Sequence, residues 1–161
     1  MVIVSDTTPL IGMASIGRFD LLRQLFGKIH IAQAVYEETF VYRGKTDGIR
    51  YEVPAADWIE TVKINDRPAV NRLLENLDSG EAETIVLASE IKADWVLMDE
   101  KKGRRKLRES GINKIGTLGI LLKAKQEDFL SVIRPDIEKL SNQGFSISET
   151  VIGTVLKQAG E

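Results

Sequence analysis

Four carboxylates pose the chemical question of this sequence: Asp6, Glu38, Glu81 and Asp99. Asp6 closes the first apolar run of the chain, and Asp99 closes another, "DWVLM" (94–98). Glu81 falls in the first turn of a helix whose next residues are apolar, and Glu38 falls on the helix after the second apolar stretch. Carboxylates gathered in one place repel one another strongly unless a divalent cation neutralises them. Mg²⁺ and Mn²⁺ prefer such oxygen ligands and keep waters and substrate phosphates in their shells. The chemistry that suits the pattern is metal-assisted phosphodiester hydrolysis, with an activated water attacking in line.

Each acid also has a plainer use. Glu81 can complete a capping box begun by Asp78, and Asp99 can favour the start of the helix that follows it. Glu38 can be a surface glutamate like its neighbour Glu37. Which use applies depends on the elements that carry them.

Ile3 and Val4 read as a buried strand, and Thr8 followed by Pro9 reads as a helix N-cap with proline at the first helical position. That leaves Asp6 without capping duty. Leu10–Ala14 and residues 18–26 carry apolar residues at helical spacing, ending at Gly27. "KIHIA" (28–32) is a second strand, and residues 33–42 form a helix stopped by "RGKTDG" (43–48). Residues 43–57 show no clear element, with Pro54 as a breaker. Residues 58–64 alternate like a strand, and 67–77 return to helix. The helix over 78–91 packs through Ala82, Ile85, Val86 and Ser89. Strand 94–98, a basic helix over 101–110 closed by Gly111, strand 112–116 and helix 117–125 follow, and two more helices finish the chain.

This alternation predicts an α/β sandwich, a central mostly parallel sheet flanked by helices. In such sheets, sites form outside the carboxyl ends of the strands. Asp6 and Asp99 both stand at such ends, as walls of one site.

Composition narrows the function further. A chain of 161 residues is long enough for one domain with a substantial core. It has no cysteine and a single histidine, His30, in an apolar strand, so a thiol nucleophile, a Ser-His-Asp triad and a conventional zinc site are all disfavoured. No secretory signal and no apolar run of membrane-spanning length is visible, which predicts a soluble cytoplasmic protein without a membrane partner. The net charge of −2 argues against a generic nucleic-acid coat protein. That argument weakens if several of the acids surround a cation.

"KKGRRKLR" (101–108) holds six cations in eight residues. It is either a solvated helix face or a phosphate track beside the acids. Lys101, Arg104, Arg105 and Arg108 fall near one helical face. Arg105 is the first candidate for a substrate contact, with Arg104 beside it. No recognition-helix motif is readable, so RNA fits better than a defined DNA site.

The spacing of these features resembles the PIN-domain ribonucleases, and most closely their VapC-like toxin branch. The stretches that carry the resemblance are "SDTTPLIGMASIGRFDLL", "IAQAVYEE", "LDSGEAETIVLASEIKADWVLMDEKKGRRKL" and "GTLGILLKAK". It implies a single PIN-like three-layer nuclease domain over 1–161, with a core to about residue 126 and C-terminal helices over about 127–161. It implies a metal-dependent endoribonuclease using Mg²⁺ or Mn²⁺, with Asp6, Glu38, Glu81 and Asp99 as the acidic cluster converging in one pocket. The resemblance selects Glu38 over Glu37 and Asp99 over Glu100, and it makes Thr8 the hydroxyl that supports the first acid. It further implies a homodimer held inactive by a small antitoxin protein. Position 81 is a glutamate where many PIN domains have aspartate, and Leu97 stands where many relatives have Ser or Thr. The rival reading is a PIN fold that binds RNA or a protein without cutting.

Overall fold

Five short strands form one all-parallel sheet, in the order β3-β2-β1-β4-β5. They are β1 (Ile3–Ser5), β2 (Ile29–Ala32), β3 (Ile59–Val62), β4 (Trp95–Leu97) and β5 (Asn113–Ile115). The structure, a computed structural model, describes residues 1–42 and 48–161. Ten helices flank the sheet among the described residues: α1 (Thr7–Ser15), α2 (Phe19–Phe26), α3 (Gln33–Val41), α4 (Ile49–Ala55), α5 (Arg67–Leu73), α6 (Ser79–Glu90), α7 (Lys101–Glu109), α8 (Thr117–Gln126), α9 (Arg134–Asn142) and α10 (Glu149–Gln158). The expected α/β architecture is therefore present, and the sheet is parallel throughout.

Parallel strands need crossovers, and the helices supply them, so the central strands are covered on both faces and are mostly apolar, with His30 interrupting β2. Ile3, Val4, Ile29, Ile31, Val96 and Leu97 are fully buried. The edge strand β3 is half-buried at Ile59 and Val62 and exposed at Glu60 and Thr61 between them.

Strand order reverses at β1, since the chain winds outward through β2 and β3 on one side and through β4 and β5 on the other. A crevice opens at such a reversal, beyond the carboxyl ends of the two strands that flank it. Ser5 is in register with Leu97, and the next N–H, that of Asp6, donates to the Leu97 carbonyl at 2.9 Å. Asp6 and Asp99 thus leave neighbouring strands at the same edge.

The helix after β1 begins at Thr7, with Asp6 in the N-cap position and Pro9 inside the first turn. This corrects the expected cap at Thr8. Proline fits there because the first-turn N–H groups have no partner within the helix. The Asp6 side chain makes no capping bond.

The central helix α6 differs from its expected single face. Ser89 is exposed, while Glu83, Thr84 and Leu87 are buried along with Ala82, Ile85 and Val86. α6 packs against α3, α5 and α7 as well as β1 and β2, so partners surround it. Two further differences concern short helices. α4 was not legible around Pro54, yet Ile49 and Val53 bury one turn apart and hold it. α5 ends at Leu73 rather than 77. Of the polar stop expected at 43–48, residues 43–47 lie outside the described residues.

Candidate active site

Asp6 is an acid in an apolar position. It is 4% exposed, and no cation pairs with it among the described residues. Burial pushes its carboxyl up to about 8, against the opposing effect of the Thr7 N–H. The charges of Glu38, Asp78 and Glu81 push it the same way.

Glu38 reaches back from α3 to the starts of two other helices. One carboxylate oxygen accepts from the Thr7 hydroxyl, and the other accepts from the Gly80 N–H at 2.9 Å. Only glycine allows this approach, because a Cβ at position 80 would lie 2.6 Å from Glu38 Oε1. Burial raises the proton affinity of Glu38, and the negative charge of Asp78 adds to it, while the two hydrogen bonds oppose them. The neighbour Glu37 is exposed and, among the described residues, accepts from Gln33 on its own helix at 3.3 Å. Of the two glutamates, Glu38 is the one that faces Asp6.

Glu81 does complete the capping box. The Asp78 side chain accepts from the Glu81 N–H at 2.9 Å, and the Glu81 carboxylate accepts from the Asp78 N–H at 3.4 Å. The structural use and the electrostatic one coincide here. Partial burial, then the charges of Asp78 and Glu100, push the Glu81 carboxyl up to about 7.

Asp99 is held differently. Its two oxygens accept from the Thr117 N–H at 2.8 Å and the Thr117 hydroxyl at 2.6 Å, across 18 residues of sequence. Gly116 keeps this junction open, since a Cβ there would lie 2.7 Å from Asp99 Oδ1 and 2.9 Å from an Arg104 guanidinium nitrogen. Arg104 is thus the cation of α7 that reaches toward the acids. Glu100, the sequence rival of Asp99, caps α7 by accepting from the Lys102 N–H at 3.1 Å.

The structure therefore brings Asp6, Glu38, Glu81 and Asp99 to one edge, but engages them separately. Among the described residues no three acidic or histidine side chains converge on a common metal position in this arrangement. Asp99 is turned to Thr117, and Glu81 to the backbone of its own helix. The donor set still suits a hard cation, being all oxygen, and burial first, with the neighbouring acids adding to it, raises the proton affinities of Asp6, Glu38 and Glu81.

On α7, Gly103 and Leu107 face the core, while Lys101, Arg105 and Arg108 are exposed and Arg104 is half-buried. Among the described residues none of these four cations is in an ion pair, whereas Lys106 pairs with Glu109 at 3.7 Å. Thr8 is exposed, and the hydroxyl that supports an acid is that of Thr7. His30 lies within β2, with Nδ1 3.2 Å from the Ile3 carbonyl and Nε2 3.6 Å from Glu60, so it serves the sheet.

Thr7 and Thr117, and the charge of Asp78, are parts of the site that sequence reasoning missed. A strand-to-helix junction of the form Gly-Thr or Asp-Thr is the signal that could have found the two threonines. A family model described as a PIN domain matches residues 2–161. None of the curated proteins matches the chain.

Proposed function

This chain belongs to the PIN-domain family, a nuclease-type family, and from that premise we propose that it is an endoribonuclease dependent on Mg²⁺ or Mn²⁺. The observation that carries the reading is Asp6, a buried acid with no cation paired to it among the described residues, at the switch point of a parallel sheet and beside Glu38 and Glu81. Asp6, Glu38, Glu81 and Asp99 would hold the metal. When bound, the ion would supply the positive charge that offsets these acids and the Lewis acidity for phosphodiester hydrolysis.

The chain's own groups do the rest. The Thr7 hydroxyl and Gly80 N–H orient the Glu38 carboxylate, and Thr117 orients that of Asp99. Arg104 and Arg105, with Lys101 and Arg108, draw the phosphates of an RNA strand along α7 toward that edge. The acids alone would repel such a polyanion, so the basic helix and the metal have complementary roles.

The VapC-like toxin assignment, with a small antitoxin and a homodimer in the cytoplasm, rests on the resemblance of the stretches quoted above. Exposed Phe40, Val41 and Tyr51 give the α3–α4 region apolar surface that an interface could cover. Among the described residues no helix is long and apolar enough to cross a membrane.

The test is cleavage of a mixed-sequence RNA with Mn²⁺ and with excess EDTA, run alongside RNA binding. Cleavage in Mn²⁺ that stops in EDTA is expected. Binding without cleavage would establish the silent-module reading instead, and equal cleavage in EDTA would remove the metal.

A further inference from the structure

Beside the acids lies a cleft of about 170 Å³, lined by Thr8, Ile11, Tyr42, Gln143, Gly144 and Phe145. We infer that it is a nucleobase subsite, taking the base of the nucleotide next to the phosphodiester bond that is cut. The inference rests on the ribonuclease reading and adds a determinant of specificity to it.

The local sequence builds this cleft. Gly144, at φ +92°, turns the chain at the end of α9, so that the Phe145 N–H returns to the Leu140 carbonyl at 3.2 Å. This plants the Phe145 ring over Gly12 of α1, where a Cβ would meet Phe145 at 3.6 Å and the Thr117 methyl at 3.3 Å. Thr117 is the residue that grips Asp99. On its other side the cleft is bounded by Thr8, adjacent to the Thr7 that grips Glu38. The cleft is therefore joined to the acidic edge through two of its own supports.

The lining selects the occupant. Among the described residues no charged side chain lines it, so a phosphate gains nothing there. Two aromatic rings and Ile11 offer apolar faces, and the Gln143 amide and Thr8 hydroxyl offer hydrogen-bond donors and acceptors to the edge of a planar group. Aromatic stacking combined with hydrogen bonds to a base edge is how single-stranded RNA is read. The volume suits one ring system and not a whole nucleotide, which is the demand of a base whose sugar and phosphate remain at the acidic edge.

The experiment is cleavage of a randomised RNA pool in Mn²⁺ by wild type, Gln143→Ala and Phe145→Leu, with the products sequenced and KM and kcat measured on one preferred RNA. Wild type should prefer particular bases at one position flanking the cut. Gln143→Ala, a change at a half-exposed residue, should relax that preference. Phe145→Leu should raise KM about tenfold with kcat little changed, as expected for weaker stacking. Cleavage by wild type with an unchanged preference and KM in both variants would overturn the subsite while leaving the nuclease standing. In that case the cleft serves another occupant, such as an apolar side chain of a protein partner. A wild type that cuts no RNA would remove the ribonuclease reading and the subsite with it.

Discussion

Two buried acids of this molecule, Asp6 and Asp136, are treated in opposite ways. Asp136, 2% exposed, sits at the start of α9 and receives the Arg18 guanidinium on both oxygens, at 3.0 and 3.4 Å. Glu83 follows the same rule, with Arg67 at 2.8 Å and the Ala34 N–H at 3.2 Å. Asp6, just as deeply buried, has Glu38, Asp78 and Glu81 near it and, among the described residues, no cation paired to it. A fold that supplies arginines to two buried acids has the means to supply a third. Burial without compensation costs free energy, so its retention at the switch point of the sheet argues for a ligand that brings the charge.

The largest effects should fall on activity. Asp6→Asn should reduce Mn²⁺-dependent RNA cleavage by about a thousandfold or more, measured in single-turnover assays. Asp136→Asn should leave cleavage near wild type in the same assay. Equal losses in both would erase the functional distinction between the two regions. Asp99→Asn should behave like Asp6→Asn, because asparagine keeps the shape and removes the charge. Thr117→Val, which removes the hydroxyl from Asp99, should cost about 10–100-fold, the usual cost of losing a supporting bond to a ligand.

Stability should move in opposite directions. Asp6→Asn should raise the melting temperature of the metal-free protein by a few degrees at neutral pH, since asparagine is buried neutral without having to take up a proton on folding. Asp136→Asn should lower stability by about 2 kcal/mol, or roughly 4–8 °C, because it leaves Arg18 without its anion. Calorimetric melts of both variants check this.

The pH dependence sharpens the same contrast. Asp6 binds its proton up to about pH 8 when folded, against 3.8 as its ordinary value. Between these values the folded state holds the extra proton, so raising the pH costs stability. The contribution is complete below pH 4 and is lost as the pH passes through 8, with a slope on the order of 1 kcal/mol per pH unit. Glu81 adds to the fall up to about pH 7. Metal-free wild type should therefore melt at lower temperature at pH 8.5 than at pH 6, and Asp6→Asn should flatten the trend.

Much of this arrangement was legible in the sequence, and what was not has physical reasons. Apolar runs bounded by glycine and polar clusters located all five strands. The strand-end acids Asp6 and Asp99 followed from the parallel sheet. What escaped was non-local or too short to show a period. Thr117 meets Asp99 only because β4 and β5 pair in register, and neither residue announces the other. Thr7 and Thr8 are adjacent hydroxyls, and only the true start of α1 decides which faces Glu38. The α4 helix, seven residues with Pro54 inside, was too brief to read. Glu81 was legible in both of its uses, and the structure employs it as a cap while its charge remains part of the acidic edge.

The smallest effect on the fold should come from α7. Replacing Arg104, Arg105 and Arg108 with alanine should change the melting temperature little, since Arg105 and Arg108 are exposed and none of the three is in an ion pair among the described residues. The logarithmic salt slope of RNA binding should nevertheless fall by about one unit for each phosphate that is no longer neutralised. An unchanged slope would reduce this helix to a solvated face.

The most direct measurement of the central claim is calorimetric titration of Mn²⁺ into wild type and Asp6→Asn, at pH 6 and pH 8. If the edge at Asp6 awaits a cation, wild type binds Mn²⁺ more tightly at pH 8, where less proton must be displaced, and Asp6→Asn loses the binding at both. Binding of equal strength in the two proteins, or none in wild type at pH 8, would contradict it.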